Sequence, residues 1–429
     1  MEASEKQKCK VSRAFWENLA LYLVFVCVYS LFLGTAPASL EGFESWVKGY
    51  LPLLDKPWPN LWSDMMRLDS NDSNCSVNSP PWFYTIRFCL NVFGDVPLAY
   101  RLPGVLVTAF VPVLTASIVR RFLNPKWALL CAILTGASHH TIWFARTGGY
   151  IGPTMTLFLL MVYLSYLIAF ENRRWAWIPL SITFFLSIFF YSVIRYYFVI
   201  AVMVIAYKLI TSREFRRTHI LPISGAICFL AIATFPITQH GLLNAFLTFF
   251  SARGEQLLIT ERIIKEGPES ENLKPEYRYS GLLRETIPTR FSDLVRVYHN
   301  GRRFFHPLHQ EQHEVRTWWP IRWWVLGFFG LGFVSCLAQA VRSPRYIIPV
   351  LWSVWAWIPL LVTTGIYPGR LLLGLPADML LITVGLCTVA TLPARFISHK
   401  LQRASDVLVW LVVLLFSVQS VVTYFQIYL

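Results

Sequence analysis

A chain of 429 residues with 55% hydrophobic and only 14% charged positions, and a mean hydropathy of +0.49, lacks the polar surface that water demands; soluble chains carry about 25% charged residues. Much of its surface must face lipid, and 17 Trp, 19 Tyr and 32 Phe suit the bilayer interface. The net charge of +14 would suggest nucleic acid in a soluble protein, but these cations sit between apolar runs, which excludes that class.

Read in chain order from a cytoplasmic N-terminus, the apolar runs predict eleven spans near 15–33, 100–119, 127–145, 151–170, 175–191, 195–210, 219–237, 321–340, 345–364, 371–391 and 405–427. The inner connections then hold Lys6, Lys8, Lys10, Arg13, Arg120, Arg121, Lys126, Arg173, Arg174, Lys208, Arg213, Arg216, Arg217, Arg342, Arg345, Arg395, Lys400 and Arg403. Every short inner loop is basic and each short outer turn has at most one cation, as the positive-inside rule requires. This places the C-terminus outside. The spans 175–191 and 195–210 are close to the short limit of about 17 residues. The first run, Phe15 to Phe32, is long and has no small-residue cleavage site, so a retained span is expected rather than a signal peptide. Cys27, Cys131, Cys228, Cys336 and Cys387 fall inside spans as small apolar residues, whereas Cys75 and Cys89 lie outside and are within the choice of pairing or remaining free.

Two segments fall outside the bilayer on the outer side. Residues 34–99 are rich in Pro, Asp, Ser and Asn, and within them Pro80–Gly94 reads as an amphipathic helix lying on the interface. Residues 238–320 carry apolar positions at helical spacing, such as Leu282, Leu283, Ile287, Phe291, Leu294 and Val295. The organisation expected is an N-terminal core at 1–237, a large outer (periplasmic) loop at 238–320 and C-terminal helices at 321–429. Asn71 and Asn74 open acceptor sequons in the first outer loop, a pattern that also arises by chance in Asn/Ser-rich sequence.

Several motifs in order carry a resemblance: SPPWFYTIRFCLNVFGD (Ser79–Asp95), LAYRLPGVL (Leu98–Leu106), RRFLNPKWALLCAIL (Arg120–Leu134), HHTIWFARTGGYIGP (His139–Pro153) and YPGRLLLGLPADMLLITVGL (Tyr367–Leu386). The chain resembles the GT-C superfamily glycosyltransferases, in the branch of protein O-mannosyltransferases and the lipid A aminoarabinose transferase. The resemblance implies an all-α polytopic GT-C-like bundle of about eleven transmembrane helices whose outer loops carry amphipathic helices. It also implies inverting transfer of a sugar from a polyprenyl-phosphate donor to an acceptor at the outer face of a bacterial inner membrane, with a first-loop carboxylate as general base.

That chemistry needs a base within hydrogen-bond reach of the acceptor hydroxyl and cations against the leaving lipid phosphate. Glu41 and Glu44 are the candidate catalytic bases, though the resemblance places Leu40 where the family has its aspartate and Ser79 where it commonly has His. Both glutamates read equally as solvated loop acids. Arg370 is the first candidate for the lipid phosphate, with Arg146 and Arg195 beside it; interfacial snorkelling is the other reading. His139 and His140 read as residues packed within the bundle. His306, His309 and His313 share one helical face and make a divalent metal the one cofactor candidate, against a plain surface run beside Pro307. The partners expected are the lipid-linked sugar donor, membrane lipids and other membrane subunits, with no nucleic acid. Two functions stay open: the transferase, and a catalytically degenerate GT-C-fold subunit that binds or assembles with a larger membrane complex. A transporter is disfavoured, because charged pairs at mid-membrane depth and an inverted repeat are missing from the sequence.

Overall fold

Inside a bilayer every backbone amide must find its partner within the protein, so apolar runs of this length can only be helical or close into a barrel. The computed structural model describes residues 2–34, 48, 51, 80–188, 190, 193–239, 323–362, 373–396 and 399–428. Among these residues the secondary structure is helical, with no strand, and the chain is an all-α polytopic membrane protein.

Each predicted span has a helix at its place. In chain order these are α1 (Glu2–Ser30), the short α2 (Pro80–Phe93), α3 (Pro97–Thr108), α4 (Phe110–Val119), α5 (Pro125–Gly136) and α6 (His139–Arg146). There follow α7 (Ile151–Glu171), α8 (Trp177–Ile188), α9 (Val193–Thr211), α10 (Arg213–Gln239), α11 (Trp323–Ala340), α12 (Ile347–Val362), α13 (Leu375–Phe396) and α14 (His399–Tyr428). By length and apolarity alone, four described segments suffice to cross a membrane: Pro97–Val119, Ile151–Glu171, Arg213–Ala233 and Ala404–Gln426. The helices at 197–211, 327–340 and 375–391 are shorter apolar stretches.

The expected span at 127–145 is built of two helices, α5 and α6, bent by 57°. Capping explains the break. Ser138 Oγ accepts the Thr141 amide at 3.2 Å and starts a new helix, while the Tyr29 hydroxyl donates to the Gly136 carbonyl at 2.8 Å, a group the interrupted ladder would leave bare. The expected interfacial helix is present as α2. Its Trp82, Phe83 and Ile86 are buried, and Phe88, Val92 and Phe93 are exposed.

The burial pattern sorts the helices. α7 and the α3–α4 segment are 72% buried, whereas the apolar windows of α10 and α14 are only 11% and 18% buried. Apolar side chains so exposed face lipid. At the centre Phe158 of α7 meets Tyr197 of α9 and Trp352 of α12 edge-on, at 5.1 and 5.2 Å between ring centroids. α11 and α13 pack backbone to backbone: a Cβ on Gly332 would collide with the Leu381 carbonyl, and one on Gly385 with that of Phe328. The C-terminal helices thus pack directly on the N-terminal ones, with Tyr346 donating to the Phe122 carbonyl at 3.0 Å and Lys126 paired with Asp406.

Candidate functional site

Where α1 runs into the first long loop, two arginines grip the departing chain. Arg146, the last residue of α6, is 1% exposed and donates to the carbonyls of Tyr29 (2.6 Å), Leu31 and Phe32 (3.2 Å). Its guanidinium also lies over the ring of Phe425 at 4.9 Å. Arg101 of α3 is wholly buried and donates to the Leu33 carbonyl at 2.9 Å. Cations at a helix C-terminus complement its dipole and satisfy the last carbonyls. Together these two side chains set the point at which the loop leaves the bundle.

The loop's far end is fastened close by in sequence. Lys48 donates to Asp95 at 2.5 Å, and the Tyr100 hydroxyl donates to the other carboxylate oxygen at 2.9 Å. These bonds, the Lys48 one foremost, hold the Asp95 carboxyl below its ordinary pKa. Leu51 packs on the core. α2 is latched to the same region, since the Trp82 indole donates to the carbonyl of Gly148 at 2.9 Å, and Gly148 takes a left-handed φ of 65°. Fixed main-chain and side-chain contacts therefore hold both ends of segment 35–47 at one end of the bundle.

Of the residues singled out from sequence, Arg146 is placed here, on main-chain carbonyls. Arg195 belongs to α9, while its side chain lies outside the described residues, as do Leu40, Glu41, Glu44, Cys75, Ser79, Arg370, the two sequons and the His306–His313 run. Segment 282–295 lies outside them too. Among the described residues no group of three or more metal-ligating side chains forms. His139 and His140 are buried, and His139 packs against Tyr424 at 5.1 Å.

In the sequence, Arg101 and Trp82 stood out only as letters within motifs, and Lys48 not at all. The signal for Arg101 was available: an arginine at the head of an apolar span is a functional candidate by default. Asp378 did not stand out either; it is 4% exposed in the first turn of α13 and bonded by the Ser353 hydroxyl at 2.5 Å, beside a Trp352 indole that donates to the Leu373 carbonyl at 2.8 Å. These contacts pin the start of α13 just after the segment that contains Arg370.

Residues 78–237 match the family model described as dolichyl-phosphate-mannose-protein mannosyltransferase, a family of GT-C glycosyltransferases. The match supports GT-C membership. It runs from α2 through α10, so within the matched segment lie Trp82, Arg101 and Arg146 together with the bent α5–α6 pair. No curated protein matches the chain.

Proposed function

We propose that the protein transfers a sugar from a polyprenyl-phosphate-linked donor to an acceptor at the outer face of a bacterial inner membrane, its N-terminus cytoplasmic and its C-terminus outside. The observation that carries this reading is the match of residues 78–237 to a mannosyltransferase family that takes its sugar from a lipid phosphate, as the family's description states. The anchored loop adds physical support. Glu44 stands four residues before Lys48, so chain connectivity keeps their Cα atoms within about 14 Å. Connectivity thus tethers this carboxylate to the Lys48–Asp95 contact. In this reading Glu41 or Glu44 accepts the proton of the acceptor hydroxyl, Arg370 and Arg195 neutralise the leaving phosphate, and Arg146 holds the loop that presents the base. Lipid-linked donor and membrane lipids are the partners, and a divalent metal is the cofactor candidate.

The test is transfer of labelled sugar from a polyprenyl-phosphate donor by purified wild type, Glu41→Gln and Glu44→Gln. Gln keeps size and hydrogen-bonding shape but takes no proton at neutral pH. Loss of the general base should lower the rate about 10²–10⁴-fold with donor binding retained. Full activity in both single variants and in the double variant would eliminate these residues as the base. A second reading, the non-catalytic subunit of a larger membrane complex, is favoured by Leu40 at the aspartate position. No transfer by folded, donor-bound wild type across several acceptors would select it.

A further inference from the structure

The opposite end of the bundle holds far more cations than carboxylates, and most of the cations are already engaged. Arg120 donates to Asn18 and Glu17, Lys126 pairs with Asp406, and Arg216 caps α9 through the carbonyls of Leu209 and Ile210. Arg121 donates to the Ser117 carbonyl and pairs with Glu171, but it and Arg345 share one aromatic setting. They come from connections far apart in the sequence and converge on Tyr166 near the end of α7. The Arg121 guanidinium lies 4.8 Å from the ring centre of Tyr163 and 5.6 Å from that of Tyr166. Arg345 lies within electrostatic reach of the Tyr166 side chain and sits 5.3 Å from the ring centre of Tyr346. Phe122 closes the cluster, edge-on to both Tyr166 and Tyr346.

Charge and hydrogen bonding are both left incomplete there. Among the described residues the carboxylate in ion-pair reach of Arg121 is Glu171, at 2.7 Å, and Glu171 also faces Arg173 at 3.8 Å. The Nε atoms of Arg121 and of Arg345 are both buried and meet no acceptor among the described residues. The Arg120 Nε is bare as well, but Arg121 and Arg345 bring two such donors to one aromatic cluster; buried N–H groups are normally satisfied, so this pair points to an acceptor from outside the chain.

We propose that Arg121 and Arg345 form a binding site for a phosphate group, supplied by the headgroup of an anionic lipid. A planar guanidinium presents paired N–H donors that match phosphate oxygens, and the aromatic walls of Tyr163, Tyr166 and Tyr346 limit competing water. The site lies among the basic connections at a helix-bundle end, the level at which lipid phosphates stand. Anionic lipids concentrate in the cytoplasmic leaflet, which the positive-inside pattern assigns to this end.

The experiment uses the purified full-length protein in dodecyl maltoside, exposed to mixed micelles containing phosphatidylglycerol or phosphatidylcholine, or to inorganic phosphate alone. Native mass spectrometry counts retained lipid, and tryptophan fluorescence follows thermal unfolding. Phosphatidylglycerol should be retained and should raise the unfolding midpoint. Arg345→Gln should lower its retention about tenfold or more, the worth of hydrogen bonds to a charged group. The exposed Arg342→Gln should change retention by about fivefold at most, the worth of one cation near an anionic surface. Arg345→Lys keeps charge and stem but lacks the planar fork, so it tests the site in a variant that is readily accommodated. Stabilisation by inorganic phosphate as large as that by phosphatidylglycerol, and lost in both Arg345 variants, would uphold the phosphate site and overturn its assignment to lipid. Wild-type retention of phosphatidylglycerol in both Arg345 variants, or equal retention of phosphatidylcholine by wild type, would overturn the site.

Discussion

Replacing Arg146 by Met removes the guanidinium from a position that is 1% exposed while leaving an apolar stem of similar reach. Three carbonyls of the α1 terminus lose their donor at once: Tyr29, Leu31 and Phe32. Leu31 and Phe32 lie beyond the last residue of α1 and are 46% and 55% exposed, and their bonds to Arg146 are only part-buried, whereas Tyr29 is fully buried. The Tyr29 carbonyl therefore dominates, at about 1–3 kcal/mol for a buried acceptor left bare. Relief of a desolvated cation works the other way, but this cation faces a helix C-terminus that stabilises positive charge. The net loss expected is about 2 kcal/mol. At about 2–4 °C per kcal/mol, the unfolding midpoint should fall by about 4–8 °C. The assay is thermal unfolding in detergent followed by tryptophan fluorescence, with the exposed Arg342→Met expected to stay within about 0.5 kcal/mol of wild type. A midpoint for Arg146→Met indistinguishable from wild type would refute the claim that this side chain anchors the end of α1.

Three further outcomes are expected. Arg370→Ala should weaken binding of a polyprenyl phosphate far more than Arg403→Ala does, and equal affinities measured by lipid titration would remove Arg370 from the site. Cysteines introduced at Asn71 and Lys274 should react with a membrane-impermeant reagent from the outer side, and one at Arg216 from the inner side; labelling of Lys274 from the cytoplasm would change the span count. Asp95 has a carboxyl pKa lowered by Lys48 and Tyr100, so the stabilisation it contributes is present above its unfolded value of about 3.9 and is lost only as pH falls through the lower folded value. Hydrogen exchange at residues 48–51, corrected for its intrinsic pH dependence, should then stay constant from pH 8 to about pH 5 in wild type and be faster throughout in Asp95→Asn; acceleration already at pH 6 in wild type would contradict this.

Hydropathy was sufficient for the helices because the bilayer forces each apolar run to satisfy its backbone locally, and local satisfaction is written in local sequence. The alternation of basic and non-basic connections followed in the same way, and the structure gathers Arg120, Arg121, Lys126 and Arg345 at one end of the bundle. The GT-C resemblance was legible for a related reason: its motifs are short runs read in order, and the family match covers four of the five, from α2 through α7.

What the sequence left open was every role that depends on a partner far along the chain. The bend at Ala137–Ser138 carries no Gly or Pro of its own; it exists because Ser138 caps α6 and Tyr29, from 107 residues earlier, satisfies the Gly136 carbonyl. Arg146 and Arg101 both look like snorkelling or phosphate-binding arginines when read in line. Only packing, which brings α3 and α6 against the end of α1, turns their donors toward the carbonyls of Tyr29, Leu31, Phe32 and Leu33. Arg121 and Arg345 likewise meet at Tyr166 only because α7 separates two connections that the sequence holds far apart. Bilayer insertion depends on a residue's own neighbours, whereas a guanidinium's task depends on which acceptor the fold delivers within 3 Å of it, and delivery is a property of tertiary packing.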